Sequence, residues 1–250
     1  MPRTITKTVY TFKELLELAN DPEASKLTKQ QRTKAVYKAK DWLRDANTQD
    51  EWWECTYETW KDALDQIGFT DADIRFRGFS SQGDGASFTS GIDVDRIVSF
   101  FTTDIKPKDC IDMATDPTTG HVYSLFGHDE DFRPWIVEKV GGKITNPKYR
   151  FVKWVANTGY FSVSVDRISH QYSHWATCRV DINWSGNTKP RTEQLLCDFR
   201  DDLERLRKDL SQAIYSALEA EYDYRCSDEQ LAEMAEANDF TFAVDGRREG

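Results

Sequence analysis

From Pro190 to Tyr224, apolar residues recur at alternating spacings of three and four: Leu196, Phe199, Leu203, Leu206, Leu210, Ala213, Ala217 and Ala220. That period predicts one uninterrupted helix with a heptad-like seam, opened by Pro190, whose missing N–H is harmless in a first turn. At 1.5 Å per residue such a helix runs about 50 Å, longer than a small domain is wide. It must lie along the molecule or reach a partner. Ile214 and Leu218 widen the apolar stripe toward that of a globular helix, which favours packing inside the chain; a homodimer contact through this helix is the alternative.

The rest of the chain supplies shorter elements for it to pack against. Thr4 to Tyr10 is β-prone and runs into Thr11-Phe12-Lys13-Glu14, a capping box that opens a helix ending near Asp21-Pro22. From Lys26 to Arg44 there are seven basic residues against the single acid Asp41, and from Asp45 to Asp73 nine acids against Lys61. Val36, Ala39 and Leu43 in the first stretch, and Trp53, Tyr57, Trp60, Leu64 and Ile67 in the second, have helical spacing, with Gly68 as the stop. An antiparallel helix pair joined near Ala46 to Asp50, oppositely charged flanks facing each other, is the economical reading.

Ile74 to Phe79 and Ala86 to Thr89 flank a Gly-Asp-Gly break with period-2 aromatics, which indicates a β-hairpin, and a short helix should span Asp93 to Phe101. Between about Asp109 and Trp184 the clearest strands are Phe151 to Val155, Tyr160 to Val165 and Thr177 to Trp184. Ser227-Asp228-Glu229-Gln230 is a second capping box, opening a helix through Leu231, Met234 and Ala237, and Phe240 to Val244 reads as a last strand. The expected fold is α+β: a mostly antiparallel sheet with an N-terminal helix pair and a long C-terminal helix. No repeat or linker divides the chain, so a single domain over 1–250 is expected, helical in 1–72, sheet-rich in 73–188 and helical in 189–250.

Composition narrows the function classes. With 39% hydrophobic and 13% aromatic residues the chain folds despite 30% charge. No stretch reaches the roughly 20 consecutive apolar residues of a membrane span, and the first ten residues are charged where a signal peptide is apolar, so no membrane partner and a cytoplasmic setting are expected. Cys55, Cys110, Cys178, Cys197 and Cys226 are odd in number and lack a C-x-x-C pair, which predicts free thiols. A formal charge of −10 argues against direct sequence-independent binding to nucleic acid, though it could imitate DNA toward a protein that binds it.

Few constellations suggest chemistry. Ser80 to Gly85 is the most concentrated polar, glycine-bearing turn; it lacks the P-loop lysine and the dinucleotide spacing, which leaves Ser80, Ser81, Gln82 and Asp84 as candidate partner-binding residues rather than a nucleotide cradle. His170 and His174 could share one strand face with Tyr172 between them, and His121 and His128 flank Tyr123 and Phe126, but neither pair has a third placed ligand. Asp109, Asp112, Asp116, Asp129, Glu130 and Asp131 could hold magnesium, without matching a nuclease signature. No G-x-S-x-G elbow or Cys-His signature occurs, so no catalytic residue, metal or cofactor is assigned.

The run Ile74-Arg75-Phe76-Arg77-Gly78-Phe79-Ser80-Ser81-Gln82-Gly83-Asp84-Gly85-Ala86-Ser87-Phe88 resembles a GFxSQGDGAxF segment of uncharacterised proteins from tailed phages and other mobile elements, some labelled antitoxin-like. Glu221 to Tyr224, Ser227 to Glu229 and Ala237 to Phe242 are similar to the C-terminal pattern of the same family. The resemblance implies a phage accessory protein made inside a bacterium, one that binds and inhibits a host protein such as a component of anti-phage defence. A metal-dependent enzyme acting on nucleic acid or nucleotides, with the Asp109 to Asp131 acids as ligands, is the alternative, and an antitoxin-like partner is a third.

Overall fold

The computed structural model describes residues 8–21, 27–49, 51–102, 152, 161–185 and 190–249. Its elements, in chain order, are β1 (Tyr10–Thr11), α1 (Phe12–Asn20), α2 (Lys29–Asn47), α3 (Glu54–Ile67), β2 (Phe69–Arg77), β3 (Gly85–Ile92), α4 (Val94–Thr102) and β4 (Phe161–Arg167). They continue with a 3-10 turn (Trp175–Thr177), β5 (Cys178–Trp184), α5 (Pro190–Arg225), α6 (Asp228–Ala237), β6 (Thr241–Phe242) and β7 (Arg248–Glu249). The chain divides into two compact units, Met1–Glu54 with Ala220–Gly250 (the terminal unit) and Cys55–Glu219 (the middle unit).

In the terminal unit, the Thr11 capping box forms as read: the Thr11 hydroxyl accepts the Glu14 N–H at 3.2 Å and Glu14 accepts the Thr11 N–H at 2.8 Å. Thr28 and Gln31 make a second such box at the start of α2. The Ser227 hydroxyl caps α6 through the Gln230 N–H at 3.3 Å, while the Gln230 side chain turns to Glu233. Helices α1, α2 and α6 are neighbours, and Phe12, Leu15, Val36, Ala39, Leu43, Leu231, Ala235 and Phe242 form their shared core. The strands β1, β6 and β7 pair antiparallel beside it. Among the described residues, the ion pairs of the basic helix α2 run from Lys40 to Asp228, from Lys38 to Asp245 and from Arg44 to Asp41 within α2. Two of the three acids thus come from the far end of the chain.

The middle unit is built on one antiparallel sheet in the order β2-β3-β4-β5. Helix α3 ends where the Gly68 N–H reaches the carbonyls of Leu64 and Asp65. The expected hairpin is present, with Ile74 opposite Phe88, Phe76 opposite Ala86 and Arg77 opposite Gly85; its irregularity lies between Thr70 and Asp73. The strands expected at 160–165 and 177–184 appear as the paired β4 and β5. The strand expected over 151–155 falls outside the described residues except for Val152, which is helical and buried. Trp60, Leu64, Ile67, Phe69, Phe88 and Ile97 are fully buried.

The long helix is 36 residues, with its residues through Glu219 in the middle unit. Its buried stripe starts as read, with Leu196, Phe199, Leu203, Leu206 and Leu210, and then departs from the alanines. Ser211, Ile214 and Leu218 are fully buried, whereas Ala213 and Ala217 are half-buried and Ala220 is exposed. A straight helix has 3.6 residues per turn, so a fixed core contact drifts off a strict seven-residue repeat within two or three turns. The apolar seam is thus covered by the chain itself.

Candidate functional site

The β2–β3 turn is organised by Asp84. One carboxylate oxygen accepts the N–H groups of Ser80 and Ser81 at 2.7 and 2.5 Å, and the other accepts the Ser81 hydroxyl at 2.7 Å. The Asp84 N–H in turn donates to the Ser81 carbonyl at 3.1 Å. These donors, the Ser81 hydroxyl first, hold the Asp84 carboxyl below the ordinary carboxylate range, with Arg77 adding a favourable charge. Of the four residues proposed from sequence, three are therefore bonded to one another, and Gln82 is left exposed with its carboxamide uncommitted among the described residues.

Both glycines beside Asp84 are required by close approach. Gly85 has φ +153, and a Cβ there would lie 2.7 Å from His174 Cβ and 2.8 Å from its Cα. A Cβ on Gly83 would lie 2.3 Å from the Tyr172 ring. The neighbour in each case belongs to the connection between β4 and β5, residues 168–177, which lies against the turn. This segment is not the strand that the His170, Tyr172 and His174 spacing suggested; it is an irregular loop closing in a 3-10 turn. Its polar backbone explains why: the Arg77 guanidinium donates to the Gln171 carbonyl at 3.0 Å and Arg167 to the Tyr172 carbonyl at 3.2 Å. The imidazole of His174 caps the 3-10 turn, its Nδ1 accepting the Ala176 N–H at 3.2 Å, which places the ring proton on Nε2.

Helix α5 forms the third wall. Tyr215 packs its ring 5.5 Å from Phe79 and donates its hydroxyl to the Gly78 carbonyl at 3.2 Å. About two turns earlier, the buried Arg207 guanidinium is held by Glu204 and donates to the Trp175 carbonyl at 2.6 Å. Lys208 Nζ sits 4.6 Å from the Trp175 ring centroid. Burial raises the Tyr215 phenol, with Glu219 and Asp84 adding to the effect, so it stays a donor.

The three walls enclose an open groove of about 560 Å³ lined by Gln82, Asp84, His174, Trp175, Gln212 and Tyr215, with Ser211 among its deeper residues. Ser211 is fully buried and its hydroxyl has no partner among the described residues. A buried, unsatisfied hydroxyl costs about 1–3 kcal/mol. Among the described residues, the hydrogen-bonding groups that the groove offers are those of Gln82, Gln212 and Ser216 and the Nε2–H of His174, beside an Asp84 carboxylate whose oxygens already accept from Ser80 and Ser81. Such a lining suits peptide-like amides and hydroxyls better than phosphate or a metal ion.

Among the described residues no group of three or more His, Cys, Asp or Glu side chains could hold a metal. His170 is exposed and does not line the groove. The acids at 109, 112, 116 and 129–131, with His121, His128 and Cys110, lie outside the described residues. Cys55, Cys178, Cys197 and Cys226 are free thiols. No described helix is long and apolar enough to cross a membrane. The helix α5 contribution has little sequence signal beyond Arg207 and Ser211, two polar residues that interrupt the apolar stripe.

No curated protein and no solved structure matches this chain. Residues 52–111, which carry α3, the β2–β3 hairpin with its turn, and α4, are similar to a family described as a domain of unknown function, DUF8835.

Proposed function

We propose that this protein is a non-enzymatic binding protein of phage or mobile-element origin, and that it engages and inhibits a bacterial host protein in the cytoplasm, a component of anti-phage defence. The contact face is the groove with its two rims, the Ser80 to Gly85 turn and the 168–177 connection. One observation carries the binding part of this reading. The large hydrophobic side chains that the middle unit exposes among its described residues are Ile168, Tyr172 and Trp175, at 55, 39 and 37%, and all three fall in the connection that lies on the turn.

Exposed aromatics beside a groove of neutral hydrogen-bonding groups are the composition of a protein-contact surface, where Tyr and Trp supply area at low entropic cost. The turn supports the face rather than forming its energetic centre, since its polar groups are mostly satisfied internally. The phage setting and the inhibitory role rest on the GFxSQGDGAxF resemblance. The reading is tested by affinity capture with the full chain from lysate of a defence-bearing host, paired with phage plating on that host. Recovery of one stoichiometric protein, together with raised plating when this protein is expressed, supports it; a chain that captures nothing and leaves plating unchanged contradicts it.

A further inference from the structure

Strand β5 ends the order β2-β3-β4-β5, so β4 covers one of its sides and no strand covers the other among the described residues. In an antiparallel ladder the N–H and C=O of a residue point to the same side, and the side alternates along the strand. The Val180 N–H donates to a Glu204 carboxylate oxygen at 2.6 Å, which fixes Val180 as outward-facing. Ile182 and Trp184, two and four residues on, therefore also present their N–H and C=O groups to the open edge, and nothing among the described residues pairs with them. Beside them runs a second groove, of about 630 Å³, walled by Ile182 and Trp184 on the strand and by Glu193, Leu196, Cys197 and Arg200 on α5.

We propose that a second copy of this chain occupies this edge, β5 adding antiparallel to β5 across a two-fold axis at Asn183 to make one continuous eight-stranded sheet. Glu204 selects the register. An axis at Ile182 would set Val180 opposite Trp184 of the second copy, and the Val180 N–H is already taken. An axis at Trp184 would set only Trp184 opposite its own copy within the strand and leave Ile182 without an open partner there. An axis at Asn183 sets Ile182 opposite Trp184 and Trp184 opposite Ile182, so that the two open residues satisfy each other.

The side chains agree with that register. Ile182 meets Trp184 twice on the groove face, apolar against apolar. On the other face Asn183 meets its own copy and Asp181 meets Ser185, so no like charges stand opposite each other. The short connection from Trp184 to Pro190 returns α5 along β5, with Glu204 beside Val180. The alternative occupant, an extended segment of another protein, would use the same backbone groups without this self-complementarity.

The test is the mass of the full chain by light scattering across a concentration series. Association toward twice the 29.0 kDa of the chain is expected for the native protein. Ser185 is exposed and beyond the strand, so its variants keep the fold. Ser185→Asp sets two carboxylates opposite Asp181 and should weaken the dimer at least tenfold, while Ser185→Lys should tighten it. Asn183→Asp and Asn183→Lys should each run as monomers, and an equimolar mixture of the two should recover the dimer mass. A native mass of 29.0 kDa at every concentration overturns the proposal. So does a dimer that responds alike to Ser185→Asp and Ser185→Lys, which would place the contact elsewhere.

Discussion

The two loops that meet over α5 solve opposite problems. The β2–β3 turn is short and closed on itself: Asp84 gathers Ser80 and Ser81, and the glycines let the 168–177 connection approach within contact distance. The β4–β5 connection ties its backbone carbonyls to Arg77, Arg167 and Arg207, and turns its large side chains outward. A motif that stands out in sequence can thus satisfy its polar groups internally. The turn closes on its own side chains, and the segment beside it exposes Ile168, Tyr172 and Trp175.

The largest expected effect removes what both loops lean on. Leu206 is fully buried in the stripe of α5, next to Arg207, which holds the connection, and on the same helix as Tyr215, which meets the turn. Leu206→Lys places a charge in that contact and should cost about 4 kcal/mol or more, abolishing cooperative unfolding near the native melting temperature. Gly85→Val should come next, at about 3 kcal/mol, because it strains a positive-φ position and drives a side chain into the His174 backbone. Thermal melts of both variants check the order; a native Tm for Gly85→Val would mean the loops are not in contact.

A smaller effect separates the turn chemically from the connection. Asp84 has a folded pKa below its unfolded value of about 3.9. Its carboxylate therefore stabilises the fold above that pH, and the contribution is lost as pH falls through the lower folded value. Asp84→Asn should lower Tm at neutral pH, and the gap between variant and native protein should close below about pH 4. A gap independent of pH would show that the hydrogen bonds to Ser80 and Ser81 do not depend on charge.

Much of this architecture was legible in the sequence because its signals are local. The Thr11 capping box, the aromatic alternation around Gly83 to Gly85 and the Leu196 to Leu210 spacing each fix an element within a few residues of themselves. What sequence did not give are the relations between distant segments. The acids that pair with Lys40 and Lys38 of α2 come from positions 228 and 245, and α5 enters the groove through Ser211 and Tyr215, more than a hundred residues beyond the hairpin. The heptad reading failed at Ala213 and Ala217 because a helix packed on a globular core keeps its 3.6-residue period.

A modest expected change in stability goes with the central claim. Gln82 and Trp175 are exposed on opposite rims of the groove, and the Trp175 backbone carbonyl that anchors Arg207 survives truncation of its side chain. Gln82→Ala with Trp175→Ala should lower stability by about 1–2 kcal/mol, because part of the Trp175 ring is covered and the Lys208 cation–π contact is lost. The decisive measurement is the affinity of this double variant for the captured host protein, by calorimetry beside the native chain at a temperature well below both melting transitions. The account predicts a cooperative melting curve, modestly lowered in Tm, with binding weakened at least a hundredfold; the same melting curve with native affinity would place the contact surface elsewhere.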